Sequence, residues 1–225
     1  EAFIIDEQKR AELIAADPKS AEVIKPWLRG RDVKRWRVDW AGLYVIFARQ
    51  GIDIERYPAV KEYLTQFKED LTPKRSKTQK RGRKPCGYKW YEIQDAIAYH
   101  AEFEKPKIIL PSIVNQATFA FDTGHHYSND KTTIIGTDDV FVLAILNSPV
   151  QDFLFQQIAA TKRGGYFEQK PMYVEQLPVP HVDDGLRQQI TQLAQQCIDI
   201  VEEDNYERLT ELEAELNTLV YEAYG

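Results

Sequence analysis

The sequence predicts an α+β fold: a small, mostly antiparallel β core with peripheral helices, followed by a C-terminal pair of amphipathic helices. Three observations lead there. Short β-branched or aromatic runs, broken every few residues by turn formers, are scattered between Val33 and Ile135. Helix-forming stretches with proline, serine or acidic starts lie before and after them. From Leu186 to Ala223 apolar residues recur every three or four positions, the spacing of a helix stripe.

In chain order, Glu7 to Ala16 and Ser20 to Ile24 carry helix formers, with Asp17-Pro18 as a breaker and Ser20 as the cap of the second stretch. Val33 to Val38 and Leu43 to Phe47, separated by Ala41-Gly42, suggest paired strands. Pro58 suits a first helical turn, and Val60, Leu64, Phe67 and Leu71 continue one stripe to Leu71. Thr72 to Gly87 is polar, basic and bounded by prolines, and reads as a mobile loop. Ile108 to Ile113, Phe119 to Phe121 and Thr132 to Ile135 are short strands between turn formers. Helices follow over Asp138 to Asn147 and Val150 to Thr161, the second ending near Gly164-Gly165. After Val179-Pro180-His181, Leu186, Ile190, Leu193, Cys197 and Val201 form one stripe and Leu209, Leu212, Leu216, Leu219 and Ala223 a second, hinged near Asp204-Asn205. These helices either cover the domain or offer a docking surface.

The chain has 225 residues, 43% hydrophobic, enough for a core domain with an appended helical element. It contains no run of eighteen apolar residues and no basic-apolar-small leader pattern, so the expected compartment is the cytoplasm, without a membrane. Cys86 and Cys197 lack metal-ligand or CxxC spacing and are expected as reduced thiols. The chain opens on Glu1 and its one methionine is Met172, from which a larger parent protein is expected. The net charge of -6 averages two unlike regions: residues 183–225 hold 11 of the 35 acidic residues but 2 of the 29 basic ones. The remainder is therefore net basic, with its cations concentrated between Lys25 and Lys107.

Two basic groups suit a phosphate backbone, because neutralising phosphates releases counterions and needs no fixed geometry. One is Lys74, Arg75, Lys77, Lys80, Arg81, Arg83 and Lys84, an eleven-residue window without an acid; its alternative reading is a solvated loop. The other is Arg29, Arg31, Lys34, Arg35 and Arg37, interleaved with Trp27 and Trp36. There the alternative is core tryptophans with ordinary edge charges. Arg163, before Gly164-Gly165, is a further backbone candidate, the glycines serving either to end a helix or to let backbone approach phosphate. Base edges need amides or cations on loops, which nominates Asn115, Gln116, His125, His126, Asn129 and Lys131, although Asn and His are also turn formers. His125-His126 lacks a second ligand pair, so no metal is expected. Tyr166 and Phe167 read as packing residues. Glu168-Gln169-Lys170 with Asp152 matches part of a magnesium-nuclease pattern, but the helix and loop they fall on do not hold both carboxylates rigidly.

Leu146-Asn147-Ser148-Pro149, Arg163-Gly164-Gly165-Tyr166-Phe167 and Gln176-Leu177-Pro178-Val179-Pro180, preceded by Ile24 to Trp36, Gly42 to Ile46 and Lys105 to Pro111, together resemble the TaqI-like C-terminal specificity domain of restriction-modification enzymes. These enzymes are also adenine-N6 DNA methyltransferases. The resemblance spans about residues 1–182 and implies a DNA target-recognition domain there, with residues 183–225 as spacer or docking helices. It implies double-stranded DNA and the parent's methyltransferase domain as partners, with S-adenosylmethionine bound in that domain and no cofactor in this chain. The family's catalytic Asn/Asp-Pro-Pro-Tyr/Phe motif and glycine-containing cofactor loop are absent from the sequence, so no catalytic residue is expected here. The rival readings are an assembly module built on the acidic helices and a self-contained magnesium-dependent nuclease.

Overall fold

Asp6 closes the first strand and opens the first helix, its carboxylate accepting the Lys9 N–H at 2.8 Å. The computed structural model describes residues 2–76 and 78–225. The chain divides into two units, Glu1–Trp27 with Ala41–Ala101, and Leu28–Trp40 with Glu102–Gly225.

In the first unit β1 (Ile4–Asp6), β2 (Ile24–Pro26) and β3 (Leu43–Ile46) form an antiparallel sheet in the order β1-β3-β2. β3 is central, and Tyr44, Val45 and Ile46 are buried in consecutive positions. Helix α1 (Glu7–Ala16) sends Leu13 into a core shared with Ile5, Ile24 and Ile46. The expected Ser20 cap is corrected: Asp17 accepts the Lys19 N–H and starts a 3-10 turn over Pro18–Glu22, in which Ser20 is buried. Pro18 lacks an N–H and fits that first position. The helix expected from Pro58 to Leu71 is two helices, α2 (Pro58–Thr65) and α3 (Lys68–Leu71), yet the stripe survives the break, with Val60, Leu64 and Leu71 buried and Phe67 packed beside them. The 72–87 segment carries a bridge of its own between Pro73 and Arg83. The strand pairing expected between 33–38 and 43–47 does not occur. β3 takes β1 and β2 as neighbours, while Val33 and Val38 bridge each other in the second unit around Trp36, whose φ is +73°.

In the second unit β4 (Lys107–Pro111) leads directly into β5 (Ile113–Val114), and β6 (Ala120–Asp122) and β7 (Thr132–Ile135) flank β4 antiparallel in the order β6-β4-β7. β4 is buried along its whole length because both faces are covered: Ile108 and Leu110 face the main core, Ile109 a smaller one with Leu28, Val33 and Ala120. Lys107 and Asp122, 0% and 1% exposed, pair across this sheet with Nζ 2.5 Å from Oδ2, and His126 Nδ1 donates to the other carboxylate oxygen at 2.8 Å. Burial works to raise the Asp122 carboxyl, but these two donors outweigh it and hold it below the usual carboxylate range.

Helices α4 (Val140–Leu146) and α5 (Pro149–Ile158) are capped by Asp139 and Ser148. Gly164 and Gly165, expected to end the second of them, instead make the turn between β8 (Thr161–Lys162) and β9 (Tyr166–Glu168), with φ of +86° and +79°. β9 also pairs with β5, giving a third sheet in the order β5-β9-β8. After α6 (Pro171–Val174) come the two long helices α7 (Asp184–Glu202) and α8 (Tyr206–Tyr224), hinged at Asp204-Asn205 as expected. Their stripes, including Ile190, Cys197, Leu212 and Leu216, share one core with α4 and Trp36, each apolar side chain contributing about 1.5–3 kcal/mol. Burial, reinforced by Glu213, pushes the Cys197 thiol up to about 12.

Candidate nucleic-acid interface

Gly30 decides where the first basic segment lies. A Cβ at this position would stand 2.7 Å from the Lys131 carbonyl oxygen, so only glycine lets residues 30–35 lie against the loop before β7. An open cleft of about 590 Å³ results in the second unit. One wall is Arg31, Val33, Lys34 and Arg35; the other is Pro111 to Gln116 with Thr118, Lys131 and Tyr166.

Within the first basic group the charges have different fates. Arg29 is half-buried and grips Asp32, with Nε and Nη2 contacts of 2.7–3.1 Å and its backbone N–H at 2.8 Å. Burial acts to raise the Asp32 carboxyl; the Arg29 hydrogen bonds overcome it and hold the group below the ordinary range. Arg35 Nε donates to Glu213 at 2.6 Å, and its guanidinium lies 5.6 Å from the ring of Trp36, which is itself a core residue. Arg37 binds Asp39, Asp204, the Val201 carbonyl and the Tyr206 hydroxyl. Arg31 and Lys34 are exposed and take part in no ion pair among the described residues. Three arginines therefore fasten the fold, and two cations face solvent at the cleft.

Three of the base-edge candidates, Asn115, Gln116 and Lys131, line this cleft and are exposed. Lys131 Nζ sits 3.0 Å from Asp130, an exposed pair worth little in water. Asn129 is a turn former, its Oδ1 accepting the Lys131 N–H. His126 is engaged by Asp122, its ring 5.6 Å from Trp40. His125 is exposed and does not line the cleft. Tyr166, read from sequence as packing, is 46% exposed and lines the cleft, whereas Phe167 packs edge-on against Phe155. Two-residue alternation along β9 separates their faces, a signal hidden while the segment reads as a helix end. Arg163 is exposed in the same hairpin.

The loop carrying Asn115 and Gln116 is held by three side chains from further along the chain. Asp152 of α5 accepts the Ala117 N–H at 2.6 Å. Gln169 accepts the Thr118 N–H at 3.2 Å and donates to its carbonyl at 2.8 Å. Asn147 does the same for Phe119, at 3.1 and 3.0 Å. Glu168 lies between Lys162 and Lys170, at 2.6 and 2.9 Å, whose hydrogen bonds hold its carboxyl low. Asp152 and Glu168, the pair behind the nuclease reading, are thus each occupied with other partners.

The second basic group belongs to the first unit. Arg83 is half-buried: it donates to the Leu71 carbonyl at 2.7 Å and the Trp90 carbonyl at 3.0 Å, lies 4.4 Å from the Tyr88 ring, and burial lowers its pKa. Arg81 pairs with Glu69 at 2.7 Å and Asp70 at 3.6 Å. Lys74 is half-buried and bridged to Arg83 through its backbone, leaving Arg75, Lys80 and Lys84 exposed. Lys77 lies outside the described residues.

Comparison with known proteins gives a family and a fold. Residues 25–179 match the TaqI-like C-terminal specificity domain. A Type II methyltransferase of Geobacillus stearothermophilus, M.BstVI, is 26% identical over 185 residues, 79% of this chain and 30% of that protein. The chain therefore spans under a third of that relative. The Type IIL restriction-modification enzyme MmeI, solved in complex with DNA, superposes over all of this chain and 31% of its own with a TM-score of 0.69. At 13% identity that likeness is one of fold.

Proposed function

The chain belongs to the TaqI-like C-terminal specificity domain family, and from that premise we propose that it recognises a short site in double-stranded DNA through the cleft of its second unit. The observation that carries the reading is the meeting, in one cleft, of two exposed cations with two exposed amides from a segment some eighty residues away in sequence. Arg31 and Lys34 supply the charge that fixes the duplex without reading it. Asn115 and Gln116 carry paired donors and acceptors that match an adenine edge, and Lys131 suits guanine. Tyr166 offers an aromatic face beside them.

The recognised site is presented to a catalytic domain elsewhere in a larger parent, which we take to be an adenine-N6 methyltransferase of a restriction-modification system. The kinship with M.BstVI supports that assignment. The methyl donor S-adenosylmethionine is assigned to that other domain.

The test is binding of the chain to a panel of duplexes differing by single base pairs. Asn115→Ala or Gln116→Ala is expected to relax discrimination at one position by about 1–3 kcal/mol while leaving non-specific affinity unchanged. Equal affinity for every duplex by the unsubstituted chain would sink the proposal.

A further inference from the structure

We propose that Asn147, Asp152 and Gln169 are positioning residues for base readout, a role that rests on the DNA-recognition reading above. Three successive backbone N–H groups, those of Ala117, Thr118 and Phe119, are each taken by a different side chain. Asn147 and Gln169, 1% and 0% exposed, also donate to the carbonyls of the residues they accept from. Each buried amide therefore behaves as a strand neighbour would, satisfying both polar groups of a backbone that lies in none of the strands. Asp152 supplies a side-chain oxygen as acceptor to the remaining N–H, that of Ala117.

The clamp ends one residue from Gln116, whose carbonyl accepts the Thr118 hydroxyl at 2.9 Å. A bidentate amide contact reads a base only when its plane is fixed to within about half an ångström and 10–20°. The loop before β7 is pinned differently, by its own Asn129. Readout by Asn115 and Gln116 instead depends on residues that do not line the cleft and lie 31 to 54 positions further on.

The experiment uses the whole 225-residue chain and a pool of duplexes with a randomised centre. Gln169→Glu keeps the acceptor for Thr118 and loses the donor. Amide hydrogen exchange at residues 117–119 is expected to speed up about tenfold or more, with the rest of the unit unchanged. Preference for the selected duplex over single-base variants is expected to fall about tenfold or more, with affinity for random duplex held within about twofold. Asp152→Ala, at a half-buried helix position, carries the same test if Gln169→Glu does not fold. Faster exchange with intact preference, or unchanged exchange, overturns the inference. If the unsubstituted chain shows no preference, the DNA reading fails and this inference falls with it; if it discriminates and the variants discriminate equally, this inference alone falls.

Discussion

The basic segments 29–37 and 74–84 look alike in sequence and are used differently. In the first, Arg29, Arg35 and Arg37 are tied to Asp32, Glu213 and Asp204, and two cations are left at a cleft. In the second, Arg83 is packed into the first unit, Arg81 is paired at the surface, and Arg75, Lys80 and Lys84 stand exposed, Arg75 in a cleft it shares with the Glu69 carboxylate and with Gln79, whose Oε1 accepts the Arg75 N–H at 3.0 Å. Charge density thus says where cations are made, and the partners say which remain available for phosphate. Lys107 marks the far limit of the contrast, a cation with no exposure at all.

The largest effect is expected there. Asp122→Ala leaves the Lys107 ammonium buried without its counter-charge and is expected to destabilise the second unit by about 3–5 kcal/mol in denaturant unfolding. Because the folded Asp122 carboxyl lies below its ordinary value, its contribution is complete above that value, about 3.9, and is lost as pH falls through the folded one. The unfolding midpoint of the unsubstituted chain should therefore drop on acidification below that range more steeply than that of Asp122→Asn.

Arg83→Met is expected to cost about 1.5–3 kcal/mol, since it strips a charged donor from the Leu71 and Trp90 carbonyls. Arg83→Lys should not restore it, because an ammonium cannot reproduce the fork. A fully stable Arg83→Met would show that this arginine is as free as its neighbours.

The smallest effects on stability, and the sharpest on the comparison, concern the exposed cations. Arg31→Ala with Lys34→Ala should leave stability within about 0.5 kcal/mol and flatten the salt dependence of duplex binding by about 0.9 for each phosphate no longer neutralised. The Arg75, Lys80 and Lys84 triple alanine variant, measured alongside, decides whether the loop of the first unit contributes at all. An unchanged slope in the first variant and a changed one in the second would invert the contrast.

The local signals read well in the sequence. The helix formers of Glu7 to Ala16, the acidic start at Asp138-Asp139 and the stripes of α7 and α8 all depend on neighbours within a turn or two, and their helices lie where expected. What stays hidden is non-local. Nothing near Arg37 announces Asp204, 167 positions away, and nothing near Thr118 announces Gln169. For Val33 to Val38, proximity in sequence favours pairing with Leu43 to Phe47, while the fold hands the segment to the second unit. The glycines at 164 and 165 fit a helix end and a hairpin turn equally well until the strand pairing on either side of them is seen.

The excursion of Leu28–Trp40 out of the first unit sets an order of events during synthesis. Every residue of the first unit has left the ribosome soon after Ala101, but Trp36 meets the Phe119 carbonyl only later, and its indole N–H waits 177 positions for Glu213. A nascent chain therefore carries Leu28 and Val33 without a core until Ile109 and Ala120 follow, and Trp36 without its complete core until the final helix is made. Closing so long a loop is slow. Refolding should accordingly resolve into an early phase reporting on the first unit and a late one in which Trp36 is withdrawn from water, the second followed by fluorescence in a variant whose other tryptophans, Trp27, Trp40 and Trp90, are replaced by Phe.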